Sequence, residues 1–350
     1  RLGDASPYVW RTEDFGRTWT RLTDGANGIP NDHWVRIVRE DPEQRGLLYA
    51  GTEFGIFVSF DDGAHWLPLR MNLPATPVTD LEVHRGDLVV ATQGRSFWVL
   101  DDLTPLRELA ADPLVAQARL FTPRDAQRGA SAPPLQEVDL NLPDNLPSGA
   151  LLHFVLGEEL GGLRLTVLDA EDREVTWWAD GERSGRVLPS SRGFHRLAWD
   201  LRYDQGNVKA PPGAYTVRLS WDGGMNEAKL RVVPDPRDPE VTMVDYEEQF
   251  RVTMAVADTA ARLRSAIRQL QGVAEQADSL IAWAEAAGSQ ADGAAAQAHE
   301  FVATMEALQR RVTSHQTDEG PSGLRTIAGL DRQYSSLLGS LNGGGGYGGG

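Results

Sequence analysis

Cleaving a glycosidic bond takes two carboxylates about 5–10 Å apart, one to protonate the leaving oxygen and one to attack or to activate water. This chain of 350 residues is rich in acids, with 50 Asp and Glu against 34 Lys and Arg and a formal charge of −16. Acids that recur in a pattern are fewer. Asp14 in TEDFGRTW (12–19) and Asp61 in SFDDGAHW (59–66) both fit Ser/Thr-x-Asp-x-Gly-x-x-Trp. Physical chemistry gives that pattern a folding role. Thr12 or Ser59, with the acid two residues on, can bind N–H groups of its own turn. Gly16 or Gly63 supplies a positive φ at the tip, and Trp19 or Trp66 packs its ring against the hairpin. The octapeptides therefore read as structural, and catalysis is not assigned to them.

Other reactive constellations are missing from the sequence. There is no Cys, which excludes disulfides, thiolate metal sites and Cys nucleophiles. No two His stand at a metal-ligand spacing. No Ser/His/Asp set, phosphate loop, dinucleotide fingerprint or EF-hand loop occurs. Neither a metal nor a cofactor is expected. The acidic balance argues against nucleic acid or an anionic membrane as a partner. No run of about 18 apolar residues spans a bilayer. His195, in GFHRLAWD, falls on a strand pattern and reads as a packing residue. Trp177 and Trp178 could stack a sugar, although one ring in the core and one on the surface is the simpler reading.

The elements that must position these groups fall into three regions. Residues 1–106 repeat internally, which is the signature to seek first. WRTEDFGRTW (10–19) aligns with FVSFDDGAHW (57–66) at an offset of 47, by subtraction of the two starts. At an offset of 40, Leu48, Thr52, Phe57, Asp61 and Asp62 fall on Leu88, Thr92, Phe97, Asp101 and Asp102. Short apolar runs such as WVRIV, LLYAG and GIFVSF are bounded by turn residues. Short strands at a period of about 40–50 residues indicate propeller blades of four antiparallel strands. The chain opens at Arg1 in mid-repeat, so it is expected to be the C-terminal part of a longer protein carrying more blades.

Residues 107–150 are rich in Pro and polar residues and read as a connector and linker. Six strand-like runs follow over 151–234, namely LLHFVL, LRLTVLD, EVTWW, HRLAWDL, AYTVRLSW and AKLRVV. They suggest an immunoglobulin-like β-sandwich. From Asp245 the period becomes helical. Val256, Ala260, Leu263, Ile267, Leu270, Ala274, Ala277, Ile281 and Ala284 step alternately by four and three, an a/d seam. Phe301, Met305, Leu308 and Val312 give a second stripe beyond the break at AGSQADG (287–293). An antiparallel helical hairpin over 245–342 is expected, with a dimerising coiled coil as the alternative. A shorter helix would hold Leu324, Ile327, Tyr334, Leu337, Leu338 and Leu341. The Gly-rich tail, 343–350, is expected to lack fixed structure. The fold class is thus multidomain and mainly β: a partial propeller, a sandwich, then helices.

The octapeptide is the Asp box, and residues 1–106 resemble the Asp-box (BNR) repeat propellers of sialidases, some endoglucanases and sortilin-type receptors. The whole arrangement is similar to a bacterial family labelled glycosyl hydrolase or sortilin-like. The resembling stretches include VRIVREDPEQRGLLYAGTEFGIFVSFDDGAHW, DLVVATQGRSFWVLDDLTPLREL, GFHRLAWDLRYD and PPGAYTVRL, and they cover nearly all of the chain. The resemblance implies an extracytoplasmic or secreted protein. It also places ligands on the propeller face opposite the boxes. That face takes the turns TEFG (52–55) and TQGR (92–95) and the connections 25–33 and 72–77, so the ligand-face candidates are Asp32, His33, Glu53, Gln93 and Arg95. Gln93 stands where the family carries His. Two functions are implied. One is a glycoside hydrolase whose site is incomplete in this chain, with no catalytic residue assigned. The other is a non-catalytic scaffold gripping a carbohydrate, peptide or protein. A carboxylate pair on the non-box face discriminates between them.

Overall fold

In the computed structural model, both octapeptides fold into the same turn. The described residues are 3–113, 117–129, 149–181, 186–287, 292–313, 316–318, 325–327 and 330–342. In the first box the Thr12 hydroxyl donates to Asp14 Oδ1 at 3.0 Å and accepts the Gly16 N–H at 2.8 Å. Asp14 also accepts the Thr18 N–H at 2.8 Å. In the second box Ser59 donates to Asp61 Oδ1 at 2.9 Å and accepts the Gly63 N–H at 2.9 Å. Asp61 accepts the His65 N–H at 2.8 Å. Phe15 and Gly16 have φ of 58° and 89°, and Asp62 and Gly63 have 59° and 87°. Two consecutive left-handed residues explain the Gly in the pattern.

Each box closes a hairpin. Strands β1 (Trp10–Arg11) and β2 (Thr20–Arg21) flank the first. The second joins the last two strands of a four-stranded antiparallel meander: β3 (Val35–Glu40), β4 (Leu48–Thr52), β5 (Gly55–Ser59) and β6 (Leu67–Pro68). A three-stranded meander follows, β7 (Val78–His84), β8 (Asp87–Thr92) and β9 (Phe97–Leu100). The two meanders repeat in detail. Val35 pairs Thr52 and Val78 pairs Thr92, each followed by a bulge. The alignment at an offset of 40 slips inside the repeat. Ala50 faces Phe57 and Val90 faces Trp98, so Trp98 and not Phe97 takes the place of Phe57. The β8–β9 turn is one residue longer, and a one-residue slip moves a side chain to the other face. Phe97 therefore takes the place of Ile56, and it is 73% exposed where Ile56 is 4%, because among the described residues no further sheet covers that face.

Trp19 also departs from expectation. It is 56% exposed, with its indole N–H on Gly16 O at 3.1 Å, whereas Trp66 is 2% exposed. Trp66 packs with Ile29, Phe57 and Leu22, the residue that follows β2. Among the described residues no sheet lies beyond β1–β2 to do the same for Trp19. The opposite face of the β3–β6 sheet packs through Tyr49, Ile56 and Val58 onto Val78, Leu81 and Val90 of the next sheet. The sheets are thus stacked face to face. In place of a fourth strand after β9 comes α1 (Thr104–Ala111), seated on this core by Leu103 and Leu106. A buried ion pair fixes it. Arg107 Nε lies 3.0 and 3.1 Å from the two oxygens of buried Asp41, which also accepts the Tyr49 hydroxyl at 3.2 Å. The acid and the burial together push the Tyr49 phenol well above its usual range.

Residues 107–150 are more than a connector. They carry most of α1 and two strands, β10 (Ala118–Leu120) and β11 (Ala126–Arg128), while 130–148 lie outside the described residues. β10 extends a sheet with β12 (Ala150–Leu156). β11 joins, in parallel, the last strand of a second sheet. The intervening strands are β13 (Arg164–Leu168), β14 (Glu174–Ala179), β15 (Gly193–Trp199), β16 (Arg202–Tyr203), β17 (Val208–Lys209), β18 (Gly213–Trp221) and β19 (Gly224–Pro234). The sheet orders are β10-β12-β15 and β11-β19-β18-β13-β14, with β16-β17 as a separate hairpin. Both larger sheets feed one apolar core, including Leu152, Phe154 and Trp199 from the first and Leu165, Val217 and Leu230 from the second. All six sequence-read runs are strands in this sandwich-like pair. A buried His153–Asp102 pair joins it to the N-terminal sheets, with Nδ1 3.4 Å from Oδ2.

The C-terminal helices are α2 (Met243–Ala287), α3 (Asp292–Thr313) and α4 (Leu330–Leu341). The start of α2 is a reciprocal cap: the Thr242 hydroxyl donates to Asp245 Oδ2 at 2.7 Å, and Thr242 Oγ1 accepts the Asp245 N–H. α2 lies against both α3 and α4. Of the seam, Ala260, Ala277 and Ile281 are buried and Val256, Leu263, Ile267, Leu270 and Ala274 half-buried, so the stripe is occupied within the chain. Ile327 is not helical. It ends the strand Arg325–Ile327, which pairs with Gln316–Asp318, while Leu324 and the tail 343–350 lie outside the described residues. Over the described residues the chain is mainly β with four α-helices. Among the described residues none is long and apolar enough to cross a membrane.

Two outcomes follow. Burial raises the Asp61 carboxyl, but the His65 N–H and imidazole and the Ser59 hydroxyl outweigh it and hold it below its usual value. That stabilisation is present above about pH 4, the unfolded value, and fades as pH falls through the lower folded value. Asp61→Ala should therefore lower stability by about 1 kcal/mol at pH 7, after allowance for solvent screening, and flatten the acid limb. Urea unfolding across pH measures both. Arg107→Met strands the Asp41 charge and should cost about 3–5 kcal/mol, whereas the Arg107→Met, Asp41→Leu pair should recover much of it in the same assay.

Candidate functional site

The turn Thr52–Gly55 lies at the opposite end of β5 from the second box, so chain direction alone puts Glu53 on the non-box side. The Thr52 hydroxyl donates to Gly55 O at 2.9 Å and accepts the Phe54 N–H at 3.2 Å, which closes the turn. Glu53 does not project free. Arg36 on β3 donates to its Oε2 through Nε at 2.8 Å and again through Nη2. Both side chains are about a quarter exposed. Arg36 also lies 5.9 Å from the Trp34 ring centroid.

The connection from β2 to β3 supplies the other wall. Asp24 Oδ1 accepts the N–H groups of Ala26 and Asn27 at 2.8 and 2.9 Å. Asn27 then ties the loop to the neighbouring box, with Nδ2 on Leu22 O at 2.8 Å and on Ala64 O at 3.1 Å, and its own carbonyl accepting the Trp66 N–H at 2.8 Å. This anchoring carries the loop to His33. The His33 Nδ1 lies 2.7 Å from Asp32 Oδ1, and its ring is 4.6 Å from the Phe54 centroid and 6.0 Å from that of Phe57. An open cleft of about 440 Å³ lies here, lined by Gly28, Pro30, His33, Phe57, Pro68, Arg70 and Met71.

Of the predicted candidates His33 alone lines the cleft; Asp32 stands behind it through the His33 ring, and Glu53 is one residue from Phe54, whose ring touches His33. The structure does not bring Gln93 or Arg95 there. Their turn rests on the preceding connection, with the Gln93 N–H on Pro77 O at 2.9 Å, and both side chains are exposed at the corresponding corner of the next sheet. Sequence reasoning missed Arg36, Phe54, Phe57, Arg70 and Met71. Arg36 could have been found from alternation along VRIVRE, which puts it on the face of β3 opposite Ile37; Arg70 and Met71 carry no pattern of their own.

Electrostatics limit what the cleft can do. Asp32 is held below its usual value, first by the His33 imidazole and then by backbone N–H groups, and its side chain is largely exposed. A general acid needs the reverse, a carboxyl raised by burial. Glu53 has the Arg36 guanidinium fixed across its Oε2 by two hydrogen bonds, which occupies that oxygen.

The remaining candidates are also committed. The Trp177 ring lies under two guanidinium groups, Arg164 at 4.4 Å and Arg186 at 5.6 Å, which cover it against a sugar. Trp178 packs against the sandwich core. His195 Nε2 lies 2.7 Å from Ser191 O and its ring 5.0 Å from Phe154, so it packs. Among the described residues no group of three or more His, Asp and Glu is placed to hold a metal ion.

No protein-family model and no curated protein matches the chain. The solved structures that align with it include the following two. CopC from Methylosinus trichosporium OB3b is 16% identical over 33% of this chain and 94% of its own, with a TM-score of 0.19. The extracellular domain of BT4673 from B. thetaiotaomicron is 12% identical over 65% of this chain, with a TM-score of 0.22. The alignment spans 29% of that domain's length. Similarity of this degree transfers neither fold nor function.

If the Arg36–Glu53 pair is structural, Glu53→Gln should cost about 1–2 kcal/mol in urea unfolding. Arg36→Met should cost a similar amount, and the double variant should cost less than the sum, which a double-mutant cycle measures.

Proposed function

We propose that the N-terminal sheets are the closing blades of an Asp-box propeller and that the chain is a non-catalytic binding scaffold acting outside the cytoplasm. Its ligand is a carbohydrate, peptide or protein held on the non-box side, at the cleft between His33 and Arg70. The observation that carries this reading is the state of the two carboxylates beside the cleft. Glu53 is clamped by Arg36, and Asp32 is stabilised as the anion by His33. Asp32 is thus not prepared to give up a proton to a leaving group, and Glu53 has its Oε2 taken by Arg36. The cleft itself suits grip. It offers rings from Phe57 and His33, an apolar rim of Pro30, Pro68 and Met71, and the Arg70 guanidinium, for which no side-chain hydrogen bond or ion pair is formed among the described residues. Few placed polar groups on an apolar, concave wall is the usual composition of a ligand site.

The stacking of sheets through Trp66 on one side and Tyr49 on the other supports the propeller, as do the two superposable boxes. The glycoside-hydrolase reading rests on resemblance and would need an acid raised by burial from outside these residues.

A panel of glycans and extended peptides screened against the chain should yield binders whose affinity falls at least tenfold in His33→Ala and Arg70→Ala, with Glu53→Gln unaffected. A panel of aryl glycosides should show no turnover. Turnover that disappears in Glu53→Gln would overturn the binding reading in favour of hydrolysis.

A further inference from the structure

The 34 basic residues include two lysines, Lys209 and Lys229. Lys209 sits where a cation is least expected. It lies on β17 directly opposite Arg202 on β16, and like charges facing across a ladder repel. A third cation interlocks with it. Arg128 Nε donates to Ala210 O at 2.8 Å, next to Lys209, while Lys209 Nζ donates to Gly129 O at 3.3 Å, next to Arg128.

Neutral partners meet this cluster on nearly every side. Arg128 Nη2 donates to Gln249 Oε1 at 2.7 Å, and its guanidinium lies 4.6 Å from the Tyr246 centroid. Arg202 Nη1 donates to Asn207 O at 2.8 Å. Among the described residues the one ion pair in the cluster is to Asp200, whose Oδ2 is 3.8 Å from Arg202 Nε; none is formed to Arg128 or Lys209. The cations are half-buried, and burial followed by the two guanidinium charges holds the Lys209 ammonium below its usual value. None of the buried polar atoms left without a partner belongs to the cluster, so its unspent N–H groups face solvent. Two guanidinium forks and one ammonium gathered at this joint, with Arg202 and Lys209 directly opposite across the ladder, are donors of the kind that clamp a multiply charged oxyanion.

We infer that Arg128, Arg202 and Lys209 form a binding site for a phosphate-type oxyanion, as the free ion or as the phosphoryl group of a larger ligand. The site lies at the joint between the sandwich and α2, and an anion there cancels a repulsion that the fold otherwise carries.

The full chain labelled with 13Cε-lysine gives two side-chain signals, assigned with Lys229→Arg. Inorganic phosphate, against sodium chloride at matched ionic strength, should shift the Lys209 signal saturably and raise its deprotonation midpoint while Lys229 stays put. Arg202→Gln should weaken that response at least tenfold. Lys209→Met removes the repulsion, so it should raise Tm in phosphate-free buffer and abolish the rise in Tm on adding phosphate. Phosphoserine binding more tightly than phosphate would point to a phosphoryl group on a larger ligand, and weaker binding to the free ion. Equal shifts of both lysines, no saturable shift, or a lower Tm for Lys209→Met would overturn the assignment.

Discussion

The arrangement of the N-terminal third depends on a carboxylate bent back onto its own backbone. A tight turn with two consecutive left-handed residues leaves N–H groups pointing inward with no strand to receive them. Asp14 and Asp61 accept those groups, and Thr12 and Ser59 fill the remaining gap. With the corner fixed, the residue three beyond Gly63 must enter the space between sheets, and Trp66 does so. Asn27 then reads the same corner from the neighbouring connection and positions the loop that ends at His33. The cleft on one side of the sheet is therefore set by hydrogen bonds on the other.

Burial of charge connects the modules. Asp41 is sealed from water and satisfied by Arg107, Tyr49 and the N–H groups of Glu43 and Gln44, so α1 is held by an interaction that is expensive to break from one side. Asp102 and His153 repeat the theme between the sheets and the sandwich. Burial raises the Asp102 carboxyl, while His153 and the Thr104 side chain and N–H lower it by more. Arg128, Arg202 and Lys209 differ from both, because three cations meet with one distant carboxylate between them. The first two clusters each set an acid against a base within the fold, and the third is left open to an anion.

A carboxylate's role here follows from its neighbours and not from its presence. The resemblance to hydrolases draws attention to Glu53 because it lies in the correct turn. Arg36 converts it from a candidate acid into half of a strap. Asp32 is similarly spent on His33. The aromatic and cationic groups of the cleft, not its acids, are the ones free to meet a ligand.

The sequence by itself determined the local elements. The octapeptides, the alternating runs of 151–234 and the four-and-three stepping of α2 all act through neighbours within a turn or two, so their pattern is written in consecutive residues. The seam from Val256 to Ile281 faces inward as its spacing requires. Tertiary structure decided the rest. A single extra residue in the β8–β9 turn put Trp98 where Phe57 sits and Phe97 where Ile56 sits, which an alignment without gaps cannot register. β10 and β11 are three residues each, too short to show a period, and became strands because β12 and β19 offered them open edges. Trp19 and Trp66 occupy the same place in the same motif, yet one is exposed and the other sealed, because burial depends on whether a second sheet stands opposite. The pairings of Arg36 with Glu53 and of Lys209 with Arg128 join residues 17 and 81 positions apart by simple subtraction, and no local rule links them. Charge placement is cheap along a chain and costly in a fold, so it is the three-dimensional neighbours that determine which charges are spent and which remain available.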